Sequence, residues 1–483
     1  MNAVNSAILD ASTGWIVLGA FSALWIFLGW FWGRHSDELD DYVLAGRRVG
    51  LALGTATAMA TWVTSNTTMA APQIALQMGV WGMLGYSLGA VGLLMFAPLA
   101  GRIRNLMPGG YTSGDFVRLR YGKTAWRVFL LISLCYSLGW LVSMGMAGGV
   151  LINALTGISY HYGMTVILVI CVGYTLLGGF RAVIGTDFIQ ALLILAGLIL
   201  IAILAIDKVG IDNIHAAALE ERPELLNLLM PAAIMFLFNN LLFGVGEIFH
   251  SNVWWSRAFS FREGVGKKAY ALAGLLWAPI PIVAGFVALA VPALDLNVPA
   301  ADMVGPMVAA KVLGTTGAVL VLIMVFSALS SSLDSLLAAT SILVVEDIYR
   351  RHLNPGASSA HLRRATAWII VGLGVLTWLL CAPRITTLAE LLYFTGAFVA
   401  STIWPIAAGL FLRNASTPGA IAGMVLGSAA GLYSYFAIGF YVAALVGAAV
   451  SLICVALGLM LQPANFEWAR LCERRPDHSG ESA

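Results

Sequence analysis

Long unbroken apolar runs separated by short polar stretches dominate the chain. A run of about 20 apolar residues crosses the hydrocarbon core of a bilayer as one helix. On that criterion the pattern predicts helices near 12–33, 50–78, 82–101, 126–153, 162–178, 183–206, 227–259, 268–291, 316–345, 365–382, 388–412, 417–437 and 440–461, thirteen in all. The runs are continuous rather than alternating, so they read as helices and not as the strands of a barrel. Hydrocarbon demands internal pairing of every backbone N–H and C=O, which helices supply. The expected fold class is an all-α integral membrane protein, with residues 1–483 forming a single transmembrane domain.

Two apolar segments are too long and too polar at their centres to be simple helices. In Leu51 to Val80 the middle holds Thr61, Trp62, Thr64, Ser65, Asn66, Thr67 and Thr68, with Pro72 close behind. In Leu226 to Phe259 the polar residues are Asn239, Asn240, Glu247, His250, Ser251 and Asn252, with Gly244 and Gly246 among them. Both read as discontinuous helices, whose unwound stretch frees carbonyls and half-helix ends to bind an ion or a solute. Five helices counted from each break give two blocks, 50–206 and 227–412. Because five is odd, the second block is inverted relative to the first. One helix (12–33) precedes this five-plus-five repeat and two (417–437 and 440–461) follow it.

Composition agrees with burial in lipid: 60% of residues are hydrophobic and 10% charged. The first run, Trp15 to Trp32, has no basic region before it and reads as a mature helix rather than a cleaved signal. Cys135, Cys171, Cys381, Cys454 and Cys472 have no paired spacing and read as small buried hydrophobes. Charge placement adds an orientation. With the N-terminus outside, all but four of the 26 Lys and Arg residues, Arg257, Arg474 and Arg475 included, fall at cytoplasmic ends or loops. The exceptions are Lys208, Arg222, Lys311 and Arg384, so the C-terminus is expected in the cytoplasm of a cell with this protein in its plasma membrane.

Two motifs then carry a family resemblance. Gly178-Gly179-Phe180-Arg181-Ala182-Val183-Ile184-Gly185-Thr186-Asp187-Phe188-Ile189-Gln190 resembles the GG-x-x-AV-x-x-TD-x-x-Q signature of the sodium:solute symporter family. The second runs from Ala328 through Ser330-Ser331-Ser332-Leu333-Asp334-Ser335 to Glu346-Asp347-Ile348-Tyr349-Arg350. The resemblance implies the inverted repeat of the leucine transporter and symport of a small polar solute with sodium as the co-transported ion. Matched residue by residue, it places sodium between carbonyls of Ala60 and Val63 and the Ala328 carbonyl with the Ser331 and Ser332 hydroxyls. Neutral oxygens suit a hard monovalent cation that must bind reversibly. It also puts Thr186 and Asp187 on the route by which sodium leaves. An aspartate inside an apolar span is costly enough to be a functional suspect; its alternative is an interfacial carboxylate held by the helix dipole and Arg181.

By position, Thr67, Tyr86, Ser251 and Trp277 match solute-contacting places, and Trp62 and Asn66 are added from the break itself. Asp334 reads as a buried partner of a polar group, and Glu247 as a solute or gate contact or the partner of a cytoplasmic arginine. Trp62, Asn153-Ala154-Leu155-Thr156-Gly157, Trp254 and Trp277 resemble the urea transporters of the family, and an aromatic wall suits a small planar amide. The preferred expectation is therefore sodium-coupled symport of urea or a similar amide by alternating access. Alternatives are a proton-coupled carrier using Asp187, Asp334 or Glu247, symport of an amino acid or carboxylate, and a solute sensor. No convergent Ser/His/Asp, metal or phosphate-loop arrangement points to an enzyme. The expected partners are solute, sodium and the bilayer, with no nucleic acid.

Overall fold

A computed structural model describes residues 9–34 and 39–472, and these are helical, with no strand among the described residues. Arg474 and Arg475, counted above with the cytoplasmic charges, lie outside them. Helix α1 (Ala11–Gly33) begins at Asp10, whose side chain accepts from the Thr13 amide, and leaves Ile16, Phe27 and Trp30 exposed, as a lipid-facing helix requires. A short α2 (Leu39–Leu44) leads to α3 (Leu51–Trp62) and α4 (Ser65–Ser87), which form one interrupted helix. Next come α5 (Ala90–Leu106), α6 (Ser113–Thr156), α7 (Tyr160–Val209) and α8 (Ile211–Glu221). The second interrupted helix is α9 (Pro231–His250) with α10 (Asn252–Ser260). The remainder is α11 (Val265–Trp277), α12 (Pro279–Ala288), α13 (Val304–Val344), α14 (Ser359–Cys381), α15 (Leu388–Ala400), α16 (Ile403–Phe411), α17 (Thr417–Ala437) and α18 (Ala443–Leu461).

Eleven helical stretches among the described residues are long and apolar enough to cross a membrane, rather than thirteen. Four of them, Ser65–Leu106, Ser113–Thr156, Tyr160–Val209 and Ala301–Leu353, are far longer than one pass needs. Each holds a glycine in a backbone conformation that residues with a Cβ avoid, Gly79, Gly122, Gly179 and Gly314, and two of these turns, Gly79 (φ 62°, ψ −144°) and Gly179 (φ 55°, ψ −155°), each divide a stretch into two of the expected helices. At the first turn the chain doubles back. A Cβ on Gly82 would lie 2.5 Å from the Ile74 carbonyl, whereas eight residues of straight helix would separate them by about 12 Å. At the second, a Cβ on Gly178 would lie 2.1 Å from that of Ala182. These turns fall between the expected helices 50–78 and 82–101 and between 162–178 and 183–206.

The buried centre is where α3, α4, α6, α7 and α13 meet, with α9 and α10 against them. Polar side chains concentrate there rather than on the lipid-facing surface: Thr57, Thr61, Thr64, Thr67, Asp187, Arg257, Ser331, Ser332 and Ser335 are all buried. Helices α11 and α12 close one side and α15 to α18 the other. Only two of the cysteines follow the expected burial, Cys171 and Cys381; Cys454 is half-buried, Cys135 and Cys472 are exposed, and all five are free.

Candidate functional site

The first break is made by side chains that take over the backbone's own hydrogen bonds. Helix α3 ends at Trp62, Val63 leaves helical geometry (φ −82°, ψ 78°), and Thr64 is extended. The Thr64 amide donates to Thr67 Oγ1 (3.2 Å) and the Thr67 amide to Thr64 Oγ1 (3.1 Å), a reciprocal cap that starts α4. In a continuous helix those two amides would bond the carbonyls of Ala60 and Val63, four residues earlier. The two carbonyls between are claimed elsewhere. Thr61 O accepts from Ser332 Oγ (3.2 Å), and Trp62 O accepts from Thr67 Oγ1 (3.1 Å) and Trp277 Nε1 (2.7 Å). Ala60 and Val63 are thus the carbonyls at the end of α3 that no hydrogen bond among the described residues takes.

Facing this end, α13 presents Ser331 and Ser332. Ser332 Oγ lies 3.0 Å from the Ala328 carbonyl as well as on Thr61 O. The Ser331 hydroxyl donates to Asp187 Oδ1. All five residues expected around sodium therefore sit where α3 meets α13. Thr186 bonds back to its own helix instead, at Ala182 O (3.1 Å) and Val183 O (3.0 Å).

Asp187 is not the interfacial carboxylate that Arg181 would hold. It is fully buried, and its partner is Arg257 on α10, at 3.1 Å, likewise 0% exposed. The charge pattern places Arg257 at a cytoplasmic end of its span; it lies instead buried against Asp187. Its guanidinium reaches Thr57 Oγ1 (3.1 Å), Ser335 Oγ (2.8 Å), Val253 O (3.2 Å) and the Thr61 hydroxyl, and lies 5.2 Å from the Phe180 ring centroid. Thr57 also donates to Asp187. One ion pair thereby ties α3, α7, α10 and α13 together. An arginine inside the predicted span 227–259 was itself the signal that could have found it. Asp334 accepts from Tyr174 OH (2.8 Å), the buried polar partnership expected of it.

On the other side of the break lies a narrow cavity whose free space is about 10 Å³, about enough for one water molecule. Its aromatic wall is Trp62, Tyr86, Trp140, Phe243 and Trp277; its polar groups are Thr64, Thr67 and Asn240, beside Gly89. No carboxylate, ammonium, guanidinium or imidazole lines it. Trp62 and Trp140 are nearly parallel (14°, centroids 6.2 Å apart), and the Trp62 ring also meets Trp277 (5.6 Å) and the edge of Trp254 (5.5 Å). Asn240 is fixed by donating to Gly85 O (2.8 Å) and Tyr86 O (3.0 Å) and accepting from Tyr393 OH (2.9 Å). Trp140 Nε1 has no hydrogen-bond partner among the described residues.

Of the residues expected to touch solute, Trp62, Thr67, Tyr86 and Trp277 converge on this cavity. Asn66 and Ser251 are not part of its lining: Asn66 accepts from Ser143 Oγ (3.1 Å), and Ser251 caps α10 at the Val253 amide (3.4 Å). Trp140, Asn240 and Phe243 were missed. Glu247, one turn before the second break, pairs with no arginine; it accepts from Tyr136 OH (2.5 Å) and Trp254 Nε1 (2.8 Å).

Comparison with known proteins sets this geometry in a family. A urea-proton symporter, DUR3, of Oryza sativa subsp. japonica is 28% identical over 95% of this chain and 72% of its own length. A urea active transporter of Saccharomyces cerevisiae is 26% identical over 72% of this chain but only 52% of itself, so the chain spans about half of that relative. Among solved structures, a Na+-coupled sialic acid symporter superposes with a TM-score of 0.79 at 19% identity, covering 94% of this chain and 98% of that one. That likeness shows the fold, the all-α membrane architecture of leucine-transporter-like carriers. These proteins are transporters, not enzymes. The model of the sodium:solute symporter family matches residues 42–427, and the chain belongs to that family.

Proposed function

We propose that this protein carries urea, or a similarly small neutral amide, into the cell together with sodium. The observation that carries the reading is the lining of the cavity at the first break: flat aromatic faces and neutral polar groups, with no acid or base. A carboxylate or ammonium buried there would lose hydration with no counter-charge, at a cost of several kcal/mol. A planar amide instead stacks on the rings and exchanges hydrogen bonds with hydroxyl, amide and indole groups. A cavity this tight must widen for any solute, and it widens least for one of few atoms, which favours a small amide over a sugar.

For the ion, the reading rests on neutral oxygens gathered at one place: the Ala60 and Val63 carbonyls from the end of α3, and Ala328 O, Ser331 Oγ and Ser332 Oγ from α13. A serine hydroxyl has one hydrogen and two lone pairs. By taking the hydrogen of Ser331, Asp187 turns those lone pairs outward toward a cation. Sodium there steadies the contact of α3 with α13 and favours the state open to the outside. Solute completes it, and the blocks 50–206 and 227–412 then rock to open the cytoplasmic side. Sodium leaves past Asp187 and Thr186, with the N-terminus outside and the C-terminus in the cytoplasm of the plasma membrane.

The test is uptake of radiolabelled urea into proteoliposomes, with and without an inward sodium gradient, for wild type and Ser331→Ala/Ser332→Ala. Gradient-driven uptake abolished in the double variant is the expected result. Uptake indifferent to sodium would remove the coupling ion. A second reading, proton coupling, draws on Glu247, a buried carboxyl in no ion pair among the described residues. It is also the coupling named for the rice relative. Uptake driven by a proton gradient without sodium, and lost in Glu247→Gln, would select it.

A further inference from the structure

A membrane helix does not open for an ion by default; something must hold its amides away from their own carbonyls. The four carbonyls after Met59 differ in this respect. Thr61 O and Trp62 O are filled by Ser332, Thr67 and Trp277. Ala60 O and Val63 O are open because the amides that a continuous helix would bring to them, those of Thr64 and Thr67, are each held by the other residue's hydroxyl. The two open carbonyls therefore follow from two side chains, Thr64 and Thr67.

We propose that Thr64 and Thr67 are positioning residues for the ion: their reciprocal cap sets the Ala60 and Val63 carbonyls free to receive sodium, although neither hydroxyl touches the ion. The proposal rests on the sodium reading above. Thr67 Oγ1 is suited to the task because it accepts from the Thr64 amide and donates to Trp62 O, both within the break. Without it, the Thr64 amide is left unpaired at membrane depth, and its nearest remedy is the Ala60 carbonyl, which closes the helix by one bond. Without the Thr64 hydroxyl, the Thr67 amide turns to Val63 O in the same way.

The experiment measures the sodium concentration that half-protects the purified full-length protein against heat, with choline as the control cation. Thr64→Val and Thr67→Val keep the side-chain shape and remove the hydroxyl; Thr64→Ser and Thr67→Ser restore it. The valine variants are expected to need at least ~10-fold more sodium, and the serine variants to stay within about 3-fold of wild type, as loss and retention of a cap predict. Thr64→Gly, which the N-cap position tolerates at small cost in stability, repeats the test if the valine variants do not fold, with the same loss expected. A folded Thr67→Val or Thr64→Gly protein with the wild-type sodium requirement would overturn the proposal. Wild type showing no sodium protection would instead remove the sodium reading on which it rests.

Discussion

The two sides of the first break are built on opposite principles, although α3 contributes to both. Toward α9 and α11 the break opens on a neutral cavity walled by aromatic rings, with one indole N–H unpaired. Toward α7 and α10 the same helix offers Thr57 and Thr61 to a dry, charged knot in which Arg257, Asp187, Ser331 and Ser335 are bound to one another. The cavity keeps unused hydrogen-bonding capacity; the knot spends nearly all of it. A solute that exchanges with water needs the first arrangement, since every fixed charge there would have to be matched by the solute. A buried ion pair needs the second, since in low dielectric its attraction offsets desolvation only when the remaining donors and acceptors are satisfied.

The comparison is most severely tested by unpairing the knot. Arg257→Gln leaves the Asp187 carboxylate buried without its cation, which costs about 3–5 kcal/mol when one partner of such a pair is removed. Thermal or denaturant unfolding of the purified protein should show that loss. Asp187→Asn in the same chain should recover a large part of it, because the double variant buries no lone charge. A single-variant loss below about 1 kcal/mol would mean that the pair is solvated in the protein, as surface pairs are.

The complementary change puts a charge where the cavity has none. Asn240→Asp replaces an amide that donates to two carbonyls by a carboxylate facing the same two oxygens. Losing those donors and burying the charge should cost about 2–3 kcal/mol and lower urea uptake by roughly 30- to 150-fold. Uptake near the wild-type level would show that the neutral lining is incidental to the solute.

Why one side was so much easier to read from sequence follows from how each is encoded. Helix positions and both breaks are one-dimensional features: apolar length, then a cluster of polar residues inside it. Asp187 is conspicuous as a carboxylate in an apolar run, whereas Ser331 and Ser332 are reached only through the motif that resembles the symporter family, since serines alone are ordinary in a membrane helix. The partner of Asp187 does not stand out, since 70 residues separate it from Arg257 and charge counting assigns that arginine to a loop. Trp140 and Phe243 sit in apolar stretches where an aromatic residue is the ordinary choice, so nothing local distinguishes cavity wall from lipid anchor or packing. Asn66 was drawn in for the opposite reason: it is polar and in the break, but α4 turns it toward Ser143 on α6.

The finest test concerns a cavity group without a hydrogen-bond partner among the described residues. Trp140→Phe keeps a ring to stack on Trp62 and removes the Nε1–H together with part of the indole's bulk. If that N–H is held for the solute, the variant loses one neutral hydrogen bond, worth about 0.5–1.5 kcal/mol, so KM for urea should rise by roughly 2- to 10-fold with little change in kcat. The same substitution removes a buried unsatisfied donor, a relief of about 1 kcal/mol that offsets the packing lost with the smaller ring, so the solute-free protein should change little in stability. A raised KM with a nearly unchanged Tm separates this from a simple packing defect, which lowers Tm and affinity together. An unchanged KM would mean that the N–H is strain tolerated beside the cavity, and recognition would then fall to Thr64, Thr67 and Asn240.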